Sequence, residues 1–180
     1  MRILKHQSTG LIIDIQERLF PHIHDSSVVA HHTAILIKGF RALDIPILLT
    51  QQYTKGLGDT IPAIRVAMGE YDILEKISFS CCDDPGFMGA INKLGNRYVI
   101  IAGIEAHVCV FQTTLDLVEN GYQPVVVEDC ISSRKANDKK VAVERMRQEG
   151  AIITTYESIL FELCRYAGTE EFKKISQLVK

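Results

Sequence analysis

Short aliphatic runs with no polar alternation recur along this chain, and they limit what it can fold into more than any other feature. Leu11 to Ile15 (LIIDI), Ile45 to Thr50 (IPILLT), Arg97 to Ala102 (RYVIIA), Gln123 to Glu128 (QPVVVE) and Ala151 to Thr154 (AIIT) are too short for buried helices and apolar on both faces. A strand that buries both faces belongs to a parallel sheet covered on each side by helices. Tyr71 to Glu75 reads as one more strand. Helical stretches separate the runs. One is entered at Ser26 or Ser27 and carries Val28, Val29, Ile35, Leu36, Phe40 and Leu43 as its stripe. A short one covers Pro62 to Met68, and another starts at Asp83 or Asp84 ahead of Pro85 and ends near Gly95. Val108 to Asn120 stops at Gly121, Asn137 or Asp138 caps a helix running to Gly150, and Glu157 to Ala167 stops at Gly168. The tail from Thr169 reads as a last short helix. With right-handed crossovers this alternation specifies an α/β fold, a doubly wound, Rossmann-like six-stranded parallel sheet with helices on both faces. No repeat or linker interrupts it, so the reading is one domain over residues 1–180.

Composition removes several classes of function. Lys and Arg number 20 against 22 Asp and Glu, a formal charge of -2, which offers no electrostatic footprint for a nucleic acid. The apolar runs fall far short of the roughly 18–20 residues that span a bilayer, so no membrane partner is expected. Met1 to Ile15 carries Arg2 and Lys5, yet Asp14 interrupts its apolar stretch and no small-residue cleavage site follows, which speaks against a secretory signal. The 5 cysteines form no CxxC pair and their number is odd. They read as reduced thiols of a cytoplasmic protein, although an organellar targeting piece already removed would leave no trace.

Ligands of such sheets bind beyond the carboxyl ends of the strands, where strand order reverses. Three reactive side chains fall on that rim: Asp14 in the last turn of the first strand, Lys76 just after the third, and Cys109 just after the fourth, where a helix begins. Each has a plainer alternative, as a loop cap, a solvated lysine and a small apolar filler. Together they offer a base, a cation and a thiol, and a helix N-terminus with a nearby ammonium favours a thiolate nucleophile.

The segments around these residues, LIIDIQ at Leu11 to Gln16, EKISFS at Glu75 to Ser80 and AGIEAHVCV at Ala102 to Val110, resemble in order and spacing the three motifs of the isochorismatase-like cysteine hydrolases. That family includes nicotinamidases and N-carbamoylsarcosine amidohydrolase. The resemblance implies the fold above, an Asp14-Lys76-Cys109 triad, and dimers or larger homo-oligomers. It also implies a cis peptide between Ile104 and Glu105, with an oxyanion hole from the amides of Glu105 or Ala106 and of Cys109. It is closest to a branch of small members with QERL after the aspartate. Nicotinamidases hold a metal through an Asp-x-His cluster after the second strand, where this chain has Thr50, Gln51, Gln52, Tyr53 and Thr54, so no metal site is expected there. True isochorismatases cleave a vinyl ether without depending on the thiol, and Cys109 argues against that activity.

Gln16, Phe20, Gln51, Tyr53 and Phe79 follow the strand ends and can wall a pocket or simply pack loops; His107 can contact substrate or hydrogen-bond the backbone. His22 and His24 lack a third ligand, His31 and His32 are adjacent on a helix and face different ways, and Cys81-Cys82 reads as structural. No phosphate loop is present, so no nucleotide or other cofactor is expected. The expected function is a cofactor-free cysteine hydrolase acting on a small-molecule amide or related C–N bond. The alternative is a binding or oligomeric partner of the same fold with little turnover.

Overall fold

A computed structural model describes residues 2–180. The strands are β1 (Ser8–Ile13), β2 (Ile47–Gln52), β3 (Ile73–Lys76), β4 (Tyr98–Ile104), β5 (Gln123–Ser132) and β6 (Ile152–Thr154). The α-helices are α1 (Ser26–Ala42), α2 (Thr54–Leu57), α3 (Pro62–Met68), α4 (Pro85–Leu94), α5 (Phe111–Glu119), α6 (Ala136–Gln148), α7 (Tyr156–Cys164) and α8 (Glu170–Leu178). The strands form one six-stranded sheet in the order β3-β2-β1-β4-β5-β6, parallel throughout. The doubly wound sheet expected from the uninterrupted aliphatic runs is the one found. No helix among the described residues is long and apolar enough to cross a membrane.

Alternate residues of each central strand enter two separate cores, as the two-residue period of a strand requires. Ile12, Ile100, Ala102 and Ile104 pack under α1, α3, α7 and α8, while Leu11, Ile13, Val99 and Ile101 pack under α4, α5 and α6. The chain winds outward from β1 to β3, then α4 carries it back across the sheet to β4 on the other side of β1. Strand order therefore reverses between β1 and β4, and their carboxyl ends diverge into a crevice at that switch point.

Several boundaries differ from the sequence reading, each for a local reason. β3 lies at the sheet edge, shifted two residues at its start and one at its end, because Lys76 is drawn into register beside Gln52. β5 runs on to Ser132 through a register break: Ile101 pairs with Val126 but Gly103 with Ile131, and Glu128 is looped out and exposed. α6 starts at Ala136 with no side-chain cap, so Asn137 and Asp138 sit inside its first turn rather than before it. α7 ends at Cys164, where Arg165 turns left-handed (φ 68°). By contrast Asp84 caps α4 as expected, accepting from the Phe87 amide at 2.9 Å.

Gly103 makes the closest approach in the sheet. Its φ is 141°, and a β-carbon placed there would lie 2.2 Å from the Ile13 carbonyl oxygen and 2.7 Å from the Ile13 nitrogen. Those neighbours are backbone of the adjoining central strand and cannot swing aside. Gly103→Ala is expected to cost roughly 3 kcal/mol, the upper end of ordinary single-site effects, read as a lowered denaturation midpoint. A midpoint unchanged from the parent would show that β1 and β4 can separate at no cost.

Candidate active site

The crevice between β1 and β4 is built on a buried ion pair. Immediately after β1 the backbone turns left-handed at Asp14 (φ 52°), a conformation that aspartate tolerates better than most residues. The turn points its carboxylate under the strand ends, where it is fully buried. Lys76 Nζ donates to Asp14 Oδ2 at 2.6 Å and Thr50 Oγ1 donates to Oδ1 at 2.7 Å. Lys76 also donates to the Ser78 and Phe79 carbonyls at 3.0 and 3.1 Å, so all of its ammonium donors are committed. Burial opposes the charge on Lys76, but the Asp14 carboxylate it pairs with outweighs this and its pKa is raised. The lysine therefore stays charged and ties three chain segments together.

Cys109 lies on a wide turn between β4 and α5. The Ile104–Glu105 peptide is cis, and residues Ala106–Val110 wind as a single π-helical turn. The Glu105 carbonyl accepts from the amides of Val108 (3.1 Å) and Val110 (3.2 Å), passing over the Cys109 amide between them. The Glu105 side chain turns away to the loop after β5, where Oε2 accepts from the Arg134 amide at 2.9 Å and from its guanidinium at 3.1 Å. This clamp holds the Cys109 turn from outside.

The Cys109 thiol is 4% exposed. Burial pushes its pKa well above the ordinary cysteine range, the Asp14 carboxylate pushes it further, and Lys76 offsets only part of this. Both influences run against the resting thiolate expected from the helix start and favour the thiol form beside the Asp14 carboxylate. Cys81 and Cys82 are pushed up to about 12, again chiefly by burial, and Cys81 is fully enclosed.

Over the thiol lies a cavity of about 210 Å³ lined by Leu19, Gln52, Leu57, Phe79, Glu105, Val108, Cys109 and Arg134. Gln52 Oε1 stands 4.0 Å from Cys109 Sγ. The lining is largely apolar, with few polar atoms close to the sulfur.

The chain matches the family described as Isochorismatase domain over residues 8–158. It belongs to the isochorismatase family. Similar relatives are isochorismatase family protein 1B of Dictyostelium discoideum, 38% identical over 99% of this chain and 89% of its own length, and isochorismatase domain-containing protein 2A of Mus musculus, 38% identical over 99% and 85%. Among solved structures, one described as MAR1 ribonuclease from Caenorhabditis elegans superposes with a TM-score of 0.94 at 37% identity, covering 99% of this chain and 92% of that one.

Within this isochorismatase fold, the six residues first considered as pocket walls are placed unequally. Phe79 lines the cavity, whereas Tyr53 is half-exposed and outside its lining, with its ring against Gly56. Gln16 is fully buried and braces the backbone: its Nε2 donates to the Gln52 and Gly58 carbonyls at 3.1 and 2.7 Å, and its Oε1 accepts from the Gln52 amide at 2.8 Å. Gln51 turns to the other side of β2, donating to Thr60 at 2.9 Å and accepting from Thr54 at 3.0 Å. Phe20 packs on the α1 core, and His107 faces a separate surface hollow beside α6, with Nδ1 2.8 Å from Ser133 Oγ. Leu19, Gln52, Leu57, Val108 and Arg134 line the cavity and were not singled out from the sequence. The strand period held the signal for Gln52, since it lies two residues beyond Thr50 and so on the same face. Among the described residues no group of three His, Cys, Asp or Glu side chains is placed to hold a metal ion.

The opposed influences on Cys109 have a testable sign. Replacing Asp14 by Asn removes the carboxylate that raises the thiol pKa and leaves Lys76, which lowers it. The Asp14→Asn protein is therefore expected to react with iodoacetamide at Cys109 at lower pH than the parent, measured by peptide mapping across a pH series. A midpoint that moves upward would contradict the arrangement described.

Proposed function

We propose that this isochorismatase-family chain is a cysteine hydrolase of small amides, with Cys109 as nucleophile, Asp14 as proton carrier and Lys76 as the fixed cation between them. The observation that carries this reading is geometric: Cys109 lines a small, mostly apolar cavity beside the Lys76-bound carboxylate of Asp14, and burial and that carboxylate both push the thiol pKa up. As sulfur bonds to the substrate carbonyl carbon, the thiol proton passes to Asp14, and the carbonyl electrons move onto oxygen. The Cys109 and Ala106 amides would receive that oxyanion, a reading supported by the Glu105 carbonyl bonding the Val108 and Val110 amides rather than that of Cys109. Collapse breaks the C–N bond, and Asp14 returns the proton to the departing amine. Water then gives a proton to Asp14 as its oxygen attacks the thioester, and the C–S bond breaks as Asp14 passes that proton to sulfur, giving a carboxylic acid and the restored thiol.

No step requires a redox group or a nucleotide, and after β2 the chain presents Gln51, Gln52 and Tyr53, amides and a phenol that bind divalent ions weakly. The free thiols suit a reducing, cytosolic compartment. The exposed Ile77 and Phe79 near the site support a homo-oligomer as the working form.

RNA cleavage is a second reading, favoured by the description of the Caenorhabditis elegans relative as a ribonuclease. The formal charge of -2 and a cavity of about 210 Å³ weigh against it, since a polynucleotide needs cations along its backbone.

A panel of small primary amides, assayed by ammonia release beside single-stranded RNA, separates the two. Ammonia release is expected, falling by at least about 10³-fold in Cys109→Ala, and unaffected by EDTA. RNA cleavage that survives Cys109→Ala with no amide turned over would overturn the proposal. Loss of turnover on chelation, restored by zinc, would overturn its metal-free form.

A further inference from the structure

We infer that Gln52 is the specificity-determining residue of this site, its carboxamide oxygen accepting the N–H of the scissile amide and so favouring amides over esters of the same acyl group. This inference rests on the reading of Cys109 as nucleophile and adds the class of bond that the pocket selects.

The side chain of Gln52 is held in one orientation from two directions. Its backbone is paired on both sides by Gln16, which accepts from the Gln52 amide at 2.8 Å and donates to the Gln52 carbonyl at 3.1 Å. Gln16 is itself fully buried and anchored on the Gly58 carbonyl at 2.7 Å, so this pairing is rigid. At the far end of the side chain, Nε2 donates to the Ile77 carbonyl at 3.3 Å. A carbonyl cannot donate, so that contact fixes which end of the carboxamide is nitrogen and leaves Oε1 toward the thiol.

Oε1 lies 4.0 Å from Cys109 Sγ. A donor substituent on a carbon bonded to that sulfur can come within the usual donor–acceptor distance of Oε1, roughly 2.9 Å. The other side chains around the cavity supply little competition. Leu19, Leu57, Phe79 and Val108 are apolar, and Glu105 and Arg134 are already paired with each other. Asp14 Oδ1 and Oδ2 both accept hydrogen bonds within the ion-pair network. Gln52 Oε1 is thus an acceptor aimed at the reacting centre with a weak thiol contact as its only present partner near Cys109. An amide nitrogen brings a donor to it; an ester oxygen brings a second acceptor and leaves both without a proton between them. That asymmetry is how a site built around one hydrogen bond rejects an isostere.

The test compares primary amides with esters of matched acyl groups, in the parent and in Gln52→Leu. Acylation of Cys109 by an activated ester, followed by mass spectrometry, reports that each protein is folded and its nucleophile working. The amide-to-ester ratio of kcat/KM is expected to fall by about tenfold or more in Gln52→Leu, the effect of one lost hydrogen bond at the reacting centre. An equal loss on both substrates, or an unchanged ratio, would overturn the role of Gln52 while leaving Cys109 in place. A Gln52→Leu protein that no longer acylates with the ester would likewise overturn it, by showing a general rather than a selective role. Failure of the ester to acylate Cys109 in the parent would instead remove the nucleophile assignment, and the inference with it.

Discussion

The buried pair of Lys76 and Asp14 is the interaction on which the rest of the site depends. Two opposite charges in a protein interior are costly unless their remaining hydrogen-bonding capacity is met. Here it is met: the lysine donates to one carboxylate and two carbonyls, and the carboxylate also receives Thr50. Because the partners come from the end of β1, the end of β2, the end of β3 and the loop beyond it, the pair is satisfied only when the sheet is assembled around it. The same charges act on the sulfur beside them in opposite senses, the carboxylate raising its pKa and the ammonium lowering it.

Two clamps of different character set the thiol relative to this pair. The Gly103 approach fixes β4 against β1 with no room for a side chain, and Glu105 ties the turn that follows to Arg134 beyond β5. The Cys109 turn is thereby located by both neighbours of its strand. In the wide turn the Glu105 carbonyl bonds the Val108 and Val110 amides and passes over that of Cys109, which an ordinary α-helical start would have bonded to it.

Much of the fold was legible in the sequence because burial on both faces leaves a signal that depends only on local composition. LIIDI and RYVIIA could be read as strands without knowing what they pair with, and Pro85 after Asp84 marked a helix start through its own chemistry. The boundaries that moved were those set by tertiary partners: Lys76 joins β3 because Gln52 lies beside it, and β5 is lengthened through a bulge that no periodicity encodes. The three reactive residues were identifiable by their places at strand ends. The pocket walls were harder to read, since Gln16 and Gln51 are polar residues of the same type and region as Gln52 and differ only in which backbone groups they meet. The raised thiol pKa was also hidden, because helix position and sequence distance do not convey burial.

The edge position of β3 carries a consequence for how such a protein would fail. Lys76 sits on a four-residue strand with a neighbour on one side only, while Asp14 and Cys109 follow the two central strands. Edge elements open at lower free energy than the interior of a sheet. Fraying of that strand would withdraw the cation and the Phe79 wall together and leave both hydrophobic cores largely intact. Opening of the candidate site and loss of the fold are then separate events, with the opened form still compact and able to recover by re-docking one short strand.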